Sequence, residues 1–239
     1  MVTRILACAA IALTAGSAQA AFFSFASDTA DHAWTFTGSG ANVSDATGVN
    51  DPIILHIDDN NGVLPRLDVS TQFNASYSLV FQGDVSLGGG VFSHNYLASG
   101  SYQFIDIPSG TTLLTVNFTN CLFTARGGAA SWFSTAALQG DDGNGATVSM
   151  IWGGANLPGY GLAPGALPAP RGFGFDHTAL NTSGVIPWNG QNPGVGLTNM
   201  LPNATWFSEA SFSASTAPAP GGVAVLGLAG LALARRRRR

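Results

Sequence analysis

Two clusters of oxygen donors are the first residues in this chain whose types and spacing could do chemistry. One runs His56-Ile57-Asp58-Asp59-Asn60-Asn61-Gly62, the other Asp141-Asp142-Gly143-Asn144-Gly145. Ca²⁺ takes about six to eight oxygen ligands, and Asp and Asn side chains crowded onto a turn can supply several. Asp58, Asp59, Asn61, Asp141, Asp142 and Asn144 are therefore candidate calcium ligands. Neither cluster has the full Asp-x-Asp-x-Asp-Gly loop with its distal Glu. Tight turns also select Asp, Asn and Gly for their own geometry. Calcium is the one cofactor these residues suggest, and turn chemistry alone is the competing reading.

The remaining polar residues nominate no catalytic group. His32, His56, His94 and His177 show no H-x-H, H-x₃-H or HExxH spacing, so no zinc site is signalled. Asp31-His32 and Asp176-His177 are adjacent pairs, and neighbours on a strand point to opposite faces, so they make poor dyads. There is no Gly-x-Ser-x-Gly elbow and no glycine loop in a strand–loop–helix setting. Glu209 is the sole Glu, and the Asp residues sit mostly in turns, so no carboxylate pair for glycoside hydrolysis emerges. Tryptophan offers a different chemistry, because its ring can stack on a sugar. Trp34, Trp152 and Trp206 fall on apolar strand faces and read as core. Trp188, in Ile186-Pro187-Trp188-Asn189-Gly190, sits in a loop and is the candidate glycan contact.

These groups must be carried by strands. Residues 77–82, 114–119 and 148–152 alternate apolar and polar with period two, the signature of half-buried antiparallel strands. Residues 32–37, 52–58, 91–97, 101–107, 131–138 and 206–213 read the same way. Asn61-Gly62 and Asn144-Gly145 signal tight hairpins; Gly88-Gly89-Gly90 and Pro108-Ser109-Gly110 are further breaks. Fifteen Phe residues can supply a core. The expected fold is all-β, an antiparallel β-sandwich or jelly-roll-like body over residues 21–213. Within it, 153–205 is rich in Gly and Pro and reads as a long excursion packed on the sandwich. Cys121 lies in an apolar strand and reads as a buried, inert thiol.

The two ends read as address rather than body. Residues 1–20 have a basic start at Arg4, an apolar run and an Ala18-Gln19-Ala20 small-x-small site, predicting signal cleavage before Ala21. Residues 214–220 form a linker and 221–239 a short hydrophobic helix with an arginine tail. The apolar run 221–234 would measure about 21 Å as a helix, short of a hydrocarbon core of about 30 Å. Pro218, Ala219 and Pro220, that helix, and Arg235, Arg236, Arg237, Arg238 and Arg239 together resemble the PEP-CTERM sorting tail, with Ala219 where that motif has Glu. The resemblance implies processing by signal peptidase and an exosortase-type enzyme, transient inner-membrane insertion with the arginines as a cytoplasmic stop, and association with exopolysaccharide.

Stripped of these ends, the body keeps Arg66, Arg126 and Arg171 against 13 acids, a formal charge of −10, with no lysine anywhere. Such a body does not hold nucleic acid by electrostatics. The leading expectation is a non-enzymatic, exported cell-surface or extracellular-matrix protein. The second is a carbohydrate- or calcium-binding β-sandwich module. An extracellular hydrolase comes third.

Overall fold

A computed structural model of the chain describes residues 20–26, 32–40, 43–59, 62–140, 145–168, 170–181, 194–202 and 204–216. Twelve strands are found among them. They are β1 (Phe22–Ala26), β2 (His32–Gly40), β3 (Val43–Asp58), β4 (Leu67–Gly88), β5 (Val91–Asp106) and β6 (Thr112–Gly128). Then come β7 (Ser131–Gln139), β8 (Thr147–Trp152), β9 (Gly165–Ala166), β10 (Pro170–Asn181), β11 (Val195–Gly196) and β12 (Trp206–Thr216). A single 3₁₀ turn, Pro158–Tyr160, precedes β9.

All the pairings are antiparallel and belong to one sheet, which closes on itself. β3, β4, β5 and β6 pair in sequence order. β6 pairs with β7, β7 with β10, and β10 with β12. β12 returns to β3 through a shared lane. β1 lies between 211–215 of β12 and 56–58 of β3, and β2 between 206–208 and 43–47. The expected sandwich or jelly roll is thus corrected to a closed ring of strands in a single sheet. Period-two alternation says which face of a strand is buried, and it is the same for a sandwich and for a ring.

The excursion is corrected too. β10 lies inside 153–205 and is a strand of the ring, with Phe173, Phe175 and His177 facing inward. Its alternate positions are Gly172 and Gly174, which hide the strand pattern among turn residues. Asn144-Gly145 does not join a paired hairpin. β7 and β8 both lie against β6, on residues 122–128 and 114–119 respectively, so the connection passes from one half of β6 to the other. Gly145 has φ +73°.

The ring is filled by aromatic side chains. Phe23 and Phe25 enter from β1, Phe73 and Tyr77 from β4, and Tyr102 and Phe104 from β5. Phe118 and Phe123 enter from β6, Trp132 from β7, and Trp206 and Phe212 from β12; all are buried. Tyr102 stacks on Phe175 with centroids 4.6 Å apart and tilts against Phe118 at 4.9 Å. Offset and edge contacts of this kind add about 0.5–1.5 kcal/mol per pair beyond area burial. Cys121 is buried in the same interior.

Ala21 is fully buried, and its N–H donates to Thr216 Oγ1 at 2.9 Å, while the Thr216 N–H donates to the Ala21 carbonyl at 2.8 Å. The first and last strands therefore begin and end side by side. Ala18, the sorting motif Pro218-Ala219-Pro220 and Arg235–Arg239 lie outside the described residues. The expected C-terminal helix, and with it a transmembrane helix, inner-membrane anchoring and transient membrane insertion, is withdrawn. Among the described residues no helix is long and apolar enough to cross a membrane. The expectation had rested on 221–234, an apolar run too short for a comfortable span.

Candidate functional site

A groove of about 510 Å³ runs over the outer face of β7. Its origin is legible in β7 itself. Trp132, Ala136 and Leu138 point into the ring, so Phe133, Thr135, Ala137 and Gln139 point out. Ala137 is short and makes a low floor. The neighbouring strands raise taller side chains on either side. Thr124 and Arg126 of β6 form one wall, and Asp176 and Thr178 of β10 form the other. Gln139 and Thr135 line the groove along β7, and Ser211 of β12 lies beyond the second wall. The ladder between β6 and β7 slips between Ala125 and Gly127, beside Arg126. The extra residues lie on β7, where 133–135 stand against Arg126 alone, and a bulge of this kind bends the strand that carries it.

The chemistry of the walls is complementary. Arg126 offers N–H donors alone, Asp176 acceptors alone, and Gln139 both. Two strand spacings, about 10 Å, separate β6 from β10. Thr178 Oγ1 donates to Glu209 Oε2 at 3.3 Å, which brings a second carboxylate to the Asp176 side.

Comparison with known proteins found no matching family model, no matching curated protein and no matching solved structure.

Directly beneath the groove lies a buried polar cluster. His177 Nε2 is 3.1 Å from the Tyr77 hydroxyl and Nδ1 is 3.0 Å from Ser208 Oγ. His177 packs on Phe175, Trp206 and Phe123, with centroids 4.9, 5.1 and 6.0 Å away. Burial pushes the imidazole down to about 3, so it is neutral. A neutral imidazole has one donor and one acceptor, and two hydroxyls can satisfy both. Burial likewise pushes the Tyr77 and Tyr102 phenols well above their ordinary range. Asp176 faces the groove while His177 faces the interior, so the adjacent pair does not act as one site.

The other sequence-level candidates are dispersed. Asp59 is fully buried, and its carboxylate accepts from the N–H groups of Gly62, Val63 and Leu64 at 2.9, 3.2 and 3.0 Å. Asp58 is half-buried at the end of β3. Asn61, Asp141, Asp142, Asn144 and Trp188 lie outside the described residues. Among the described residues no three His, Cys, Asp or Glu side chains converge as a metal site. His56 meets Asp68 at 2.7 Å, and Arg66 clasps the same carboxylate through Nε at 2.7 Å and Nη2 at 3.1 Å. Hydrogen bonds from Arg66 and then His56 hold Asp68 below the usual carboxylate range. His94 is buried between Asp84, 2.6 Å from Nδ1, and the Gly128 carbonyl, 2.9 Å from Nε2, which ties β4 and β5 to the β6–β7 turn. Trp152, Trp206 and Trp132 are all interior.

The sequence does not mark Arg126, Asp176 and Gln139 as one site; Asp176 reads only as the neighbour of His177 and Arg126 only as one of three body arginines. Their signal is faint but physical. In a chain whose body has three arginines, Arg126 interrupts the apolar alternation of β6 on its outward phase, and Asp176 does the same on β10.

Proposed function

We propose that this protein is a carbohydrate-binding module whose ligand lies in the groove over β7. The observation that carries the reading is the grouping of a guanidinium, a carboxylate and an amide around the low floor at Ala137. Each of the three presents two in-plane hydrogen-bonding atoms, which match pairs of adjacent hydroxyls on a sugar ring. Hydroxyls both donate and accept, so donor-only Arg126 and acceptor-only Asp176 are each satisfied by the same ligand class. The groove volume falls within the range of about 300–1,000 Å³ common for ligand sites. His177 lies at the base of the groove with its side chain buried.

Affinity electrophoresis and calorimetry against a panel of soluble polysaccharides test the proposal. Arg126→Ala and Asp176→Ala each weaken binding by about tenfold or more, since a hydrogen bond to a charged group is worth about 1.5–3 kcal/mol. Circular dichroism on each variant confirms the fold. The reading fails if no polysaccharide is retained, or if both folded variants bind as wild type does.

A further inference from the structure

Resting on the carbohydrate reading, we infer that the groove continues along β7 to Phe133, and that it holds an internal stretch of an extended, uncharged polysaccharide with Phe133 as a stacking platform. The outward residues of β7 are Phe133, Thr135, Ala137 and Gln139, at two-residue steps. β7 has two extra residues against β6 between Trp132 and Ala136, so the track is shorter than a regular strand of its length, on the order of 15 Å, and still longer than one sugar unit. The groove occupies the Thr135 to Gln139 part of this track. Phe133 is the next step and is 43% exposed. It is the only aromatic among the strongly exposed large hydrophobic side chains of the described residues.

The pairing of β7 sets the surroundings of Phe133. On the β6 side, β7 pairs with Gly127 and Gly128, and on the other side with Val195 and Gly196. These residues stand opposite Ser131 and Trp132, while Arg126 is the β6 residue against 133–135, so the exposed ring lies beside the guanidinium at one end of the groove. Its neighbour Trp132 is fixed beneath it, with Nε1 donating to the Tyr96 hydroxyl at 3.0 Å and that hydroxyl donating to the Met200 carbonyl at 2.7 Å. An open, rigidly based aromatic face beside a polar track suits the C–H face of a pyranose, with the hydroxyl edges of the next sugars reaching Arg126 and Asp176.

Charge selects the class of polymer. Arg126 and Asp176 line the same groove, and Thr178 beside Asp176 holds Glu209, on a body of formal charge −10. A polyanion is repelled by that field, and an uncharged chain is indifferent to it.

Calorimetry on the full chain with neutral oligosaccharides of increasing length, and with an acidic polysaccharide for comparison, tests the inference. Affinity rises with length until the track is filled and then levels off. Phe133→Ala lowers affinity for the longer oligosaccharides by about tenfold and leaves disaccharide binding unchanged, while Phe133→Tyr keeps it. Length-independent affinity, a preference for the acidic polymer, or wild-type binding by Phe133→Ala overturns this inference and leaves the Arg126–Asp176 groove standing. Absence of binding to every glycan removes both.

Discussion

Acid should unfold this protein through His177 before its carboxylates titrate. The imidazole sits in an aromatic interior against two hydroxyls, and burial pushes it from its ordinary value of 6.5 down to about 3. Between those values the unfolded chain binds a proton that the folded chain refuses. The folded state therefore binds fewer protons, and stability falls as pH falls. The contribution is complete above pH 6.5 and is lost progressively down to about pH 3. Its full size is on the order of 4–5 kcal/mol, a large part of the stability of an ordinary domain. The slope approaches about 1.4 kcal/mol per pH unit below 6. Urea unfolding at pH 7, 6 and 5 measures it in wild type and in His177→Gln. The variant keeps a donor and an acceptor for Tyr77 and Ser208 but cannot take up a proton. It starts less stable at pH 7, because it fills less of the aromatic cavity, and then changes much less with pH. Equal slopes in the two proteins across this range would refute the reasoning.

Two further predictions concern side chains and turns that hold the main chain. Asp59→Ala strips three N–H groups of their carboxylate and destabilises the protein by about 2–3 kcal/mol, measured by chemical denaturation. A Cβ at Gly127 would collide with the Ser131 carbonyl across the β6–β7 turn. Gly127→Ala therefore costs about 1–3 kcal/mol and also weakens polysaccharide retention, because the displaced strand carries Arg126. Retention at the wild-type level would separate the turn from the groove.

The sequence made strands legible wherever polar and apolar residues alternate, and it failed where glycine takes the polar positions. Arg171-Gly172-Phe173-Gly174-Phe175 alternates with period two like any strand of the ring, yet its glycines read as loop. Pairing partners were not legible at all. Nothing local to β6 says that its two halves face β7 and β8, or that β12 must close on β1 nearly two hundred residues away. The site suffered from the same gap. Asp176 and Arg126 are 50 positions apart, and only the ring places them on either side of β7. A loop tryptophan is the aromatic glycan contact that composition suggests, whereas Phe133 is exposed on a strand, in the bulged part of β7 opposite Arg126, a property of register rather than of type. His177 beside Asp176 was separable in advance, because the two-residue period sends them to opposite faces.

Closure of the sheet also accounts for a composition that would otherwise be hazardous. An open β-sheet presents unpaired N–H and C=O groups at its edges, and proteins commonly blunt those edges with lysine or other charges. This chain has no lysine, and charged residues make up 9% of it. It has little charge to spend on edges. The long strands β3, β4, β5 and β6 are instead paired on both sides around the ring. The pairing path ends in β11 and β9, two residues each, too short to template another chain. The outer face therefore need not carry lysines to repel copies of itself at an edge. On that surface Arg126 of β6, Phe133 of β7 and Asp176 of β10 lie on three adjacent strands, which is the arrangement the proposed uncharged polysaccharide would meet.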